Sequence, residues 1–312
     1  MDGVMERVPE VSVLMGVYNA APTLDATLDS ILGQQGVELE FIVVDDGSTD
    51  GSGEILDQRA ATDPRLIVIH QANAGLTVSL QRAAERARGP FLARQDASGD
   101  RSLPGRLAAQ AALLRKREDA VFVTCGHRYV EGGGNFLFEE TSTEVEVQAG
   151  LSTLTMPGVR GILHASAMID SAAFRKIGGY RPEFKVAQDI DVWLRLHEIG
   201  TCVAVPEVFY ECVYEMNGIS GRRRGLQLAF ADLAVRCAIA RRSGLSEPAL
   251  VLSVPTVTQA DASIRKQRAD YHYFIGSCMR KRDPKRARSH FLRAWVARPI
   301  VFRTLLRALC TW

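Results

Sequence analysis

The chain of 312 residues lacks a long uninterrupted apolar run, and its six cysteines form no close pairs. A membrane-spanning helix needs about 18 or more apolar residues. The nearest candidate, Pro299 to Leu309, is shorter and carries Arg303 and Arg307. Cys125, Cys202, Cys212, Cys237, Cys278 and Cys310 show no Cys-x-x-Cys spacing, which argues against a structural zinc or a dithiol motif. Scattered single cysteines suit a reducing compartment, where they act as small core residues. The opening MDGVMERVPE is acidic and has no apolar h-region, so no signal peptide is expected and the location reads as cytoplasmic. Where a dinucleotide-dependent oxidoreductase carries G-x-G-x-x-G, this chain reads Gly16-Val17-Tyr18-Asn19-Ala20-Ala21. That class is excluded. A P-loop motif is missing as well, and so is the glycine-rich, lysine-bearing loop of a nucleotidyltransferase. No fixed-period repeat and no low-complexity linker interrupts the chain.

A hydrophobic content of 46% suffices for one large core, or for a core with a helical annex. The net charge of +2 conceals an asymmetry. Residues 1–219 hold 19 Lys+Arg against 31 Asp+Glu, whereas residues 220–312 hold 19 against 5. The basic end therefore suits an anionic neighbour, or docks on the acidic remainder. It contains no recognisable nucleic-acid module, so no nucleic acid is expected as partner. An anionic membrane surface or a pyrophosphate-linked lipid remains as candidate.

Over the first 125 residues, short apolar runs alternate with helical periodicity. Val11–Val17 reads as a strand buried on both faces, and Leu39–Val44, Leu66–His70, Pro90–Arg94 and Val121–Cys125 read as further strands. Pro22–Gln35, Gly53–Ala61, Leu76–Arg88 and Pro104–Lys116 read as the helices between them. This is the pattern of βαβ units and a mostly parallel sheet. After Gly126 the alternation loosens. Gly132–Asn135 reads as a hairpin turn, Leu163–Ile169 as a strand, Asp170 as a helix cap, Gln188–Glu198 as a helix, and 202–214 as short strands. From about Gly225 only helices are expected. Asp283-Pro284 opens one of them, with Phe291, Leu292, Trp295 and Val296 as its apolar stripe.

The strongest local signal is Val43-Val44-Asp45-Asp46-Gly47-Ser48-Thr49-Asp50. Ligands of parallel sheets bind beyond the carboxyl ends of the strands. A turn explains the Gly and Ser, but not two adjacent acids directly after a buried strand.

Four blocks, in order, carry a resemblance. VSVLMGVYNAAPTLDATLDSILGQQ with LEFIVVDDGSTDGS is similar to the opening of the family-2 inverting glycosyltransferases. NAGLTVSLQRAAERARGPFLARQDA resembles their third segment, and HASAMIDSAAFRKIGGYRPEFKVAQDIDVWLRLHEIG their acceptor-side segment. The resemblance runs from about Val11 to Ser220. It implies a GT-A fold, Rossmann-like and α/β, with a mostly parallel sheet flanked by helices; the helical C-terminal extension lies beyond the resemblance. The domains would be 1–222, with a nucleotide-binding half over 8–125 and an acceptor-side half over 126–222, and a basic helical region over 223–312. The implied activity is transfer of a sugar, hexosyltransferase-like, from a nucleotide-diphosphate sugar to a hydroxyl on a saccharide or lipid-linked acceptor. Bacterial surface polysaccharide or glycolipid assembly is the implied setting, at the inner face of the plasma membrane.

Carried over residue by residue, Asp46 binds the nucleotide base, Val17 and Tyr18 line its pocket, and Asp96 stands on the sugar-diphosphate side. Asp189 becomes the general base, because inverting attack needs one carboxylate to take the acceptor proton. The departing diphosphate needs positive charge, commonly a divalent Mg²⁺ or Mn²⁺. Here the chain departs from the family. In place of closely spaced acids it reads Asp96-Ala97-Ser98-Gly99-Asp100. A turn through Ser98-Gly99 would bring both acids onto one metal; equally, Asp96 alone touches it and Asp100 caps the next helix. This departure keeps open a degenerate transferase that binds a nucleotide or a partner without turnover. On the acceptor or phosphate side stand His164, Asp191, Trp193 and Arg222. Each has a plainer reading: a core histidine, a helix-terminal acid, a core aromatic and a solvated basic loop.

Overall fold

A computed structural model describes residues 8–154, 162–214, 224–247 and 264–299. Strands β1 Val11–Val17, β2 Leu39–Asp45, β3 Leu66–His70 and β4 Phe91–Arg94 form a parallel half-sheet in the order β3-β2-β1-β4. Helices α1 Ala21–Leu32, α2 Ser52–Ala60 and α3 Leu76–Arg86 connect them. Every residue of β2 is buried, as expected for a strand covered on both faces. Leu24, Leu28 and Ile31 of α1 are fully buried, each worth about 1.5–3 kcal/mol.

The other half of the sheet is mixed. After β5 Arg101–Ser102 and α4 Arg106–Lys116 comes β6 Ala120–Glu131, then β7 Phe136–Glu140 and α5 Glu144–Thr153. A single 3₁₀ turn at His164–Ser166 leads to β8 Met168–Asp170, α6 Ser171–Lys176, α7 Gln188–His197 and β9 Thr201–Tyr214. β8 is antiparallel to both β4 and β6, and β5 is antiparallel to β9. The expected strand at Leu163–Ile169 is therefore mostly a turn, and 202–214 forms one long strand rather than several short ones. The turn at Gly132–Asn135 follows β6 as expected, closed by Glu131 N–H to the Asn135 carbonyl at 2.9 Å.

Helices α8 Arg224–Arg242, α9 Ile264–Met279 and α10 Pro284–Ala297 complete the described chain. Asp283 caps α10, accepting from Arg286 N–H at 3.0 Å. No described helix is long and apolar enough to cross a membrane.

The chain divides into two compact units: Met1–His127, Glu140–Glu211 and Leu228–Pro255, and Arg128–Glu139, Cys212–Gln227 and Thr256–Trp312. The boundary expected at residue 222 falls outside the described residues. The second unit has its own core of Leu137, Ile275, Met279, Ala287 and Phe291. Gly276 lets α9 and α10 approach closely, since a Cβ there would lie 3.0 Å from the Ala287 carbonyl. The expected apolar stripe of α10 needs correction. Ala287, His290, Phe291 and Ala294 face inward, while Leu292 and Val296 are 40% and 71% exposed. Cys125, Cys202, Cys212 and Cys237 are buried single thiols, and Cys278 is partly buried.

Candidate active site

The carboxyl ends of the first three strands line up, since Val17 is in register with Asp45 and Asp45 with His70. The chain winds outward from β1 to β3 and returns to β4 on the other side of β1. That reversal makes the crevice between β1 and β4 a ligand site of the open α/β kind. Tyr18 follows β1 and is 55% exposed, whereas Val17 is fully buried.

The loops after β1 and β2 are sewn together. Asn19, in the left-handed region at φ 54°, accepts from Thr49 N–H at 2.8 Å. Its own N–H donates to Ser48 Oγ at 3.0 Å, and Asp50 accepts from Ala21 N–H at 3.0 Å, capping α1 from outside. Asp45 accepts from Ser48 N–H at 3.0 Å and pairs with His70 at 3.0 Å. Burial pushes the Asp45 carboxyl up, and the bonds from Ser48 and His70 outweigh it and hold it below its ordinary value. Asp46 is 4% exposed. Its carboxylate accepts from Gln71 Nε2 at 2.7 Å and from the backbone N–H groups of Ala74 and Gly75, each at 2.8 Å. Asp46 thus organises the loop after β3.

Beyond β4 lies a polar cluster. Arg94 ends the strand and is 2% exposed. Its guanidinium pairs with Asp96 and donates to the Leu14 and Gln95 carbonyls, while Nε has no partner among the described residues. The Tyr210 hydroxyl is the hub of the next loop. It accepts from Gln95 Nε2 at 3.1 Å and Asp96 N–H at 3.2 Å, and donates to Asp100 Oδ2 at 3.2 Å. Fully buried Arg106 donates to Ser102 Oγ at 2.6 Å and to the Arg94 carbonyl at 2.8 Å. The loop from Asp96 to Asp100 is therefore built from inside, and Asp96 and Asp100 converge on one tyrosine.

Asp189 lies in the first turn of α7, behind Ala187 at φ 56°. Burial is the largest influence on its carboxyl and pushes it up; N–H groups of Ile190 and Asp189 oppose, Asp96 adds, and Arg94 opposes. Asp189 therefore feels the charges of Asp96 and Arg94. His164 contacts the Tyr180 hydroxyl at 2.8 Å. Burial, then Arg94, holds His164 well below its usual value, so it is neutral. Burial raises Tyr180, which also senses Arg94, Asp189 and Asp96. Asp96, Asp189, His164, Tyr180 and Arg94 thus share one electrostatic neighbourhood.

Two acceptor-side candidates take the plainer of their two readings. Asp191 is 1% exposed, clamped by Arg181 and by Arg195 at 2.6 Å. Arg195 also donates to the Ile177 and Gly179 carbonyls, so the clamp ties α7 to the preceding turn. Trp193 is fully buried, stacked on Phe122 with ring centroids 4.9 Å apart. Side chains two apart on a helix point about 200° from each other, which separates Asp189 from Asp191. Arg222 lies outside the described residues. Arg94, Tyr180 and Tyr210 were missed from sequence. A lone charge ending the apolar run FLAR was the signal for Arg94; Tyr210 offered none.

A parallel nucleotide-type half-sheet, continued by a mixed half that brings a second acid to its edge, defines a glycosyltransferase of the GT-A fold. The chain belongs to glycosyl transferase family 2, whose sequence profile matches residues 12–178, more than half of its length. It is 35% identical over 204 residues to the putative glycosyltransferase EpsE of Bacillus subtilis (strain 168), covering 63% of this chain and 69% of that protein. It is 31% identical to the putative teichuronic acid biosynthesis glycosyltransferase TuaG of the same organism, covering 69% of this chain and 83% of that one. Among solved structures, the mannosyltransferase PcManGT of Pyrobaculum calidifontis, in complex with GDP-Man and Mn²⁺, superimposes with a TM-score of 0.57 at 20% identity, covering 97% of this chain and 81% of that chain.

Proposed function

We propose that this glycosyltransferase inverts the sugar it moves, taking it from a nucleoside-diphosphate sugar to a hydroxyl of a growing bacterial surface polysaccharide or glycolipid. The observation that carries the proposal is Asp189: a half-buried carboxyl whose pKa is raised by desolvation, within the field of Asp96 and Arg94. A base with a raised pKa takes a proton more readily than an ordinary carboxylate. In this reading Asp189 removes the acceptor proton. Asp46 shapes the base pocket with Tyr18, the expected Val17 lying buried beneath it, and Asp96 faces the diphosphate.

A divalent Mg²⁺ or Mn²⁺ fits this donor set in one way. Among the described residues no group of three His, Cys, Asp or Glu side chains could hold a metal ion. Asp96 pairs with Arg94 through one oxygen only, and its side chain is 38% exposed. A cation held by one or two carboxylates plus substrate phosphates needs no more. Asp96 would hold it, with Asp100 as the second candidate, and it would supply positive charge to the leaving diphosphate. PcManGT carries Mn²⁺ with its donor, which supports this choice.

The acceptor reading is supported by TuaG, named for teichuronic acid biosynthesis. A lipid-linked acceptor would place the enzyme at the cytoplasmic face of an anionic membrane, in keeping with its basic C-terminal region. Residues 300–312 of that region are outside the described residues. One observation favours the alternative of binding without turnover: Asp96 is engaged by a buried arginine. Release of free nucleotide from UDP- and GDP-sugars, with and without Mn²⁺ and acceptor, separates the two. Nucleotide binding with no release under any condition would establish the non-enzymatic reading.

A further inference from the structure

The second unit carries a basic groove remote in sequence from the family-2 segment. Between α9 and α10 runs a hollow of about 690 Å³, lined by Arg265, Arg268, Ser289, Leu292, Arg293 and Val296. The three arginines are exposed, and among the described residues none pairs with an acid. Leu292 and Val296, 40% and 71% exposed, place aliphatic surface between the guanidinium groups. The local field is positive. His272 is pushed down to about 4, first by burial, then by His290, Arg293 and Arg268.

We propose that this groove docks the phosphate headgroups of acidic phospholipids in a bilayer, with the arginines on phosphate and the aliphatic side chains against the upper acyl region. The charge complementarity comes from the arginines. The lipid character comes from Leu292 and Val296, which a purely electrostatic partner would leave wet. Among the described residues no aromatic lines the groove to stack a base, which disfavours single-stranded nucleic acid. Long basic side chains flanking apolar ones are the layout of a helix surface at the headgroup level. The inference deepens the membrane-face location proposed above by assigning it to one surface.

The test is co-sedimentation of the full chain with vesicles of phosphatidylglycerol in phosphatidylcholine, or of phosphatidylcholine alone. Binding to the acidic vesicles only is expected. Replacing Arg265, Arg268 and Arg293 together by Gln should weaken it about 100-fold, at about fivefold per residue near an acidic surface. The double variant Leu292→Ser with Val296→Ser should also bind less, and its deficit should persist in high salt, which screens the arginines but not apolar contact. All these residues are exposed, and an unchanged thermal transition checks the fold. Undiminished binding of the triple variant overturns the groove while leaving a membrane location intact. Failure of the unaltered chain to bind acidic vesicles at low salt overturns both, and leaves sugar transfer to be judged by nucleotide release. Displacement by millimolar inorganic phosphate, beyond chloride at equal ionic strength, marks a free-phosphate site and overturns the bilayer assignment.

Discussion

At Asp189 the carboxyl loses water without gaining a cation of its own, so ionisation costs more than in an exposed aspartate. Its turnover role and its effect on stability therefore point in opposite directions. As a base it must be ionised, so the acid limb of kcat/KM should lie above the ordinary carboxylate range near about 4. Asp189→Asn should cut turnover roughly 10²–10⁴-fold with donor binding retained. Because the folded-state value is raised above the unfolded one, the penalty is absent below the unfolded value. It grows as pH rises and is complete above the folded value. The Asn variant should thus be more stable than the parent in urea at pH 7, and equal to it near pH 3. Asp191 behaves otherwise. Removing its charge strands Arg181 and Arg195, so Asp191→Asn should lose about 3–5 kcal/mol of stability. A variant at 191 that melts normally yet loses turnover would reverse the two assignments.

Elements that run to period and are bounded by strong signals were legible from sequence. β1, β3 and α3 begin or end within two residues of the expected limits, because a short apolar run, or a run at helical spacing, bounded by turn residues has few other readings. Asp170 and Asp283 cap helices as their type and position suggest. The misses have physical reasons. β5 is two residues long and exists through its pairing with β9, a contact more than 100 residues away. The inward face of α10 is ambiguous in sequence because Phe291 is compatible with either stripe, and packing against Gly276 decides between them. α5 was overlooked since its sequence, EVEVQAGLST, alternates like a strand at first. What makes it a helix is the reciprocal cap: Thr143 Oγ1 accepts from Glu146 N–H at 3.3 Å, and Glu146 accepts from Thr143 N–H at 2.8 Å. Thr143→Ala should therefore cost about 1 kcal/mol in chemical denaturation, with turnover unchanged. A loss within error would mean that burial of Val147 and Leu151 alone sets that helix.

Across the whole molecule, the site draws on segments far apart in sequence. The loop around Asp96, Tyr180, Asp189 and Tyr210 come together only in the fold, which is why single acids were legible and their supporting network was not. A donor nucleotide would bridge the loops after β1, β2 and β3, the loops that Asn19, Asp46 and Ser48 already hold against one another. Binding to the native state alone stabilises it by RT ln(1 + [L]/Kd), about 2.7 kcal/mol at a hundredfold excess over Kd. For a chain of 312 residues, at about 2.1 cal/mol/K of unfolding entropy per residue, that is a rise in melting temperature of roughly 4 °C. A panel of UDP-, GDP- and dTDP-sugars with Mn²⁺ should therefore contain one nucleotide that gives such a shift while the others give little. Asp46→Ala should abolish the shift. It should also lower the melting temperature of the free chain, since the Ala74 and Gly75 N–H groups lose their acceptor, at about 1–3 kcal/mol for an unsatisfied buried donor. The two effects are separable, because the second is present without ligand and the first is read as a difference between ligand-bound and free protein. An Asp46→Ala chain that melts early yet shifts as far as the parent with the same nucleotide would leave Asp46 as a loop organiser and move base recognition to Tyr18 and its neighbours.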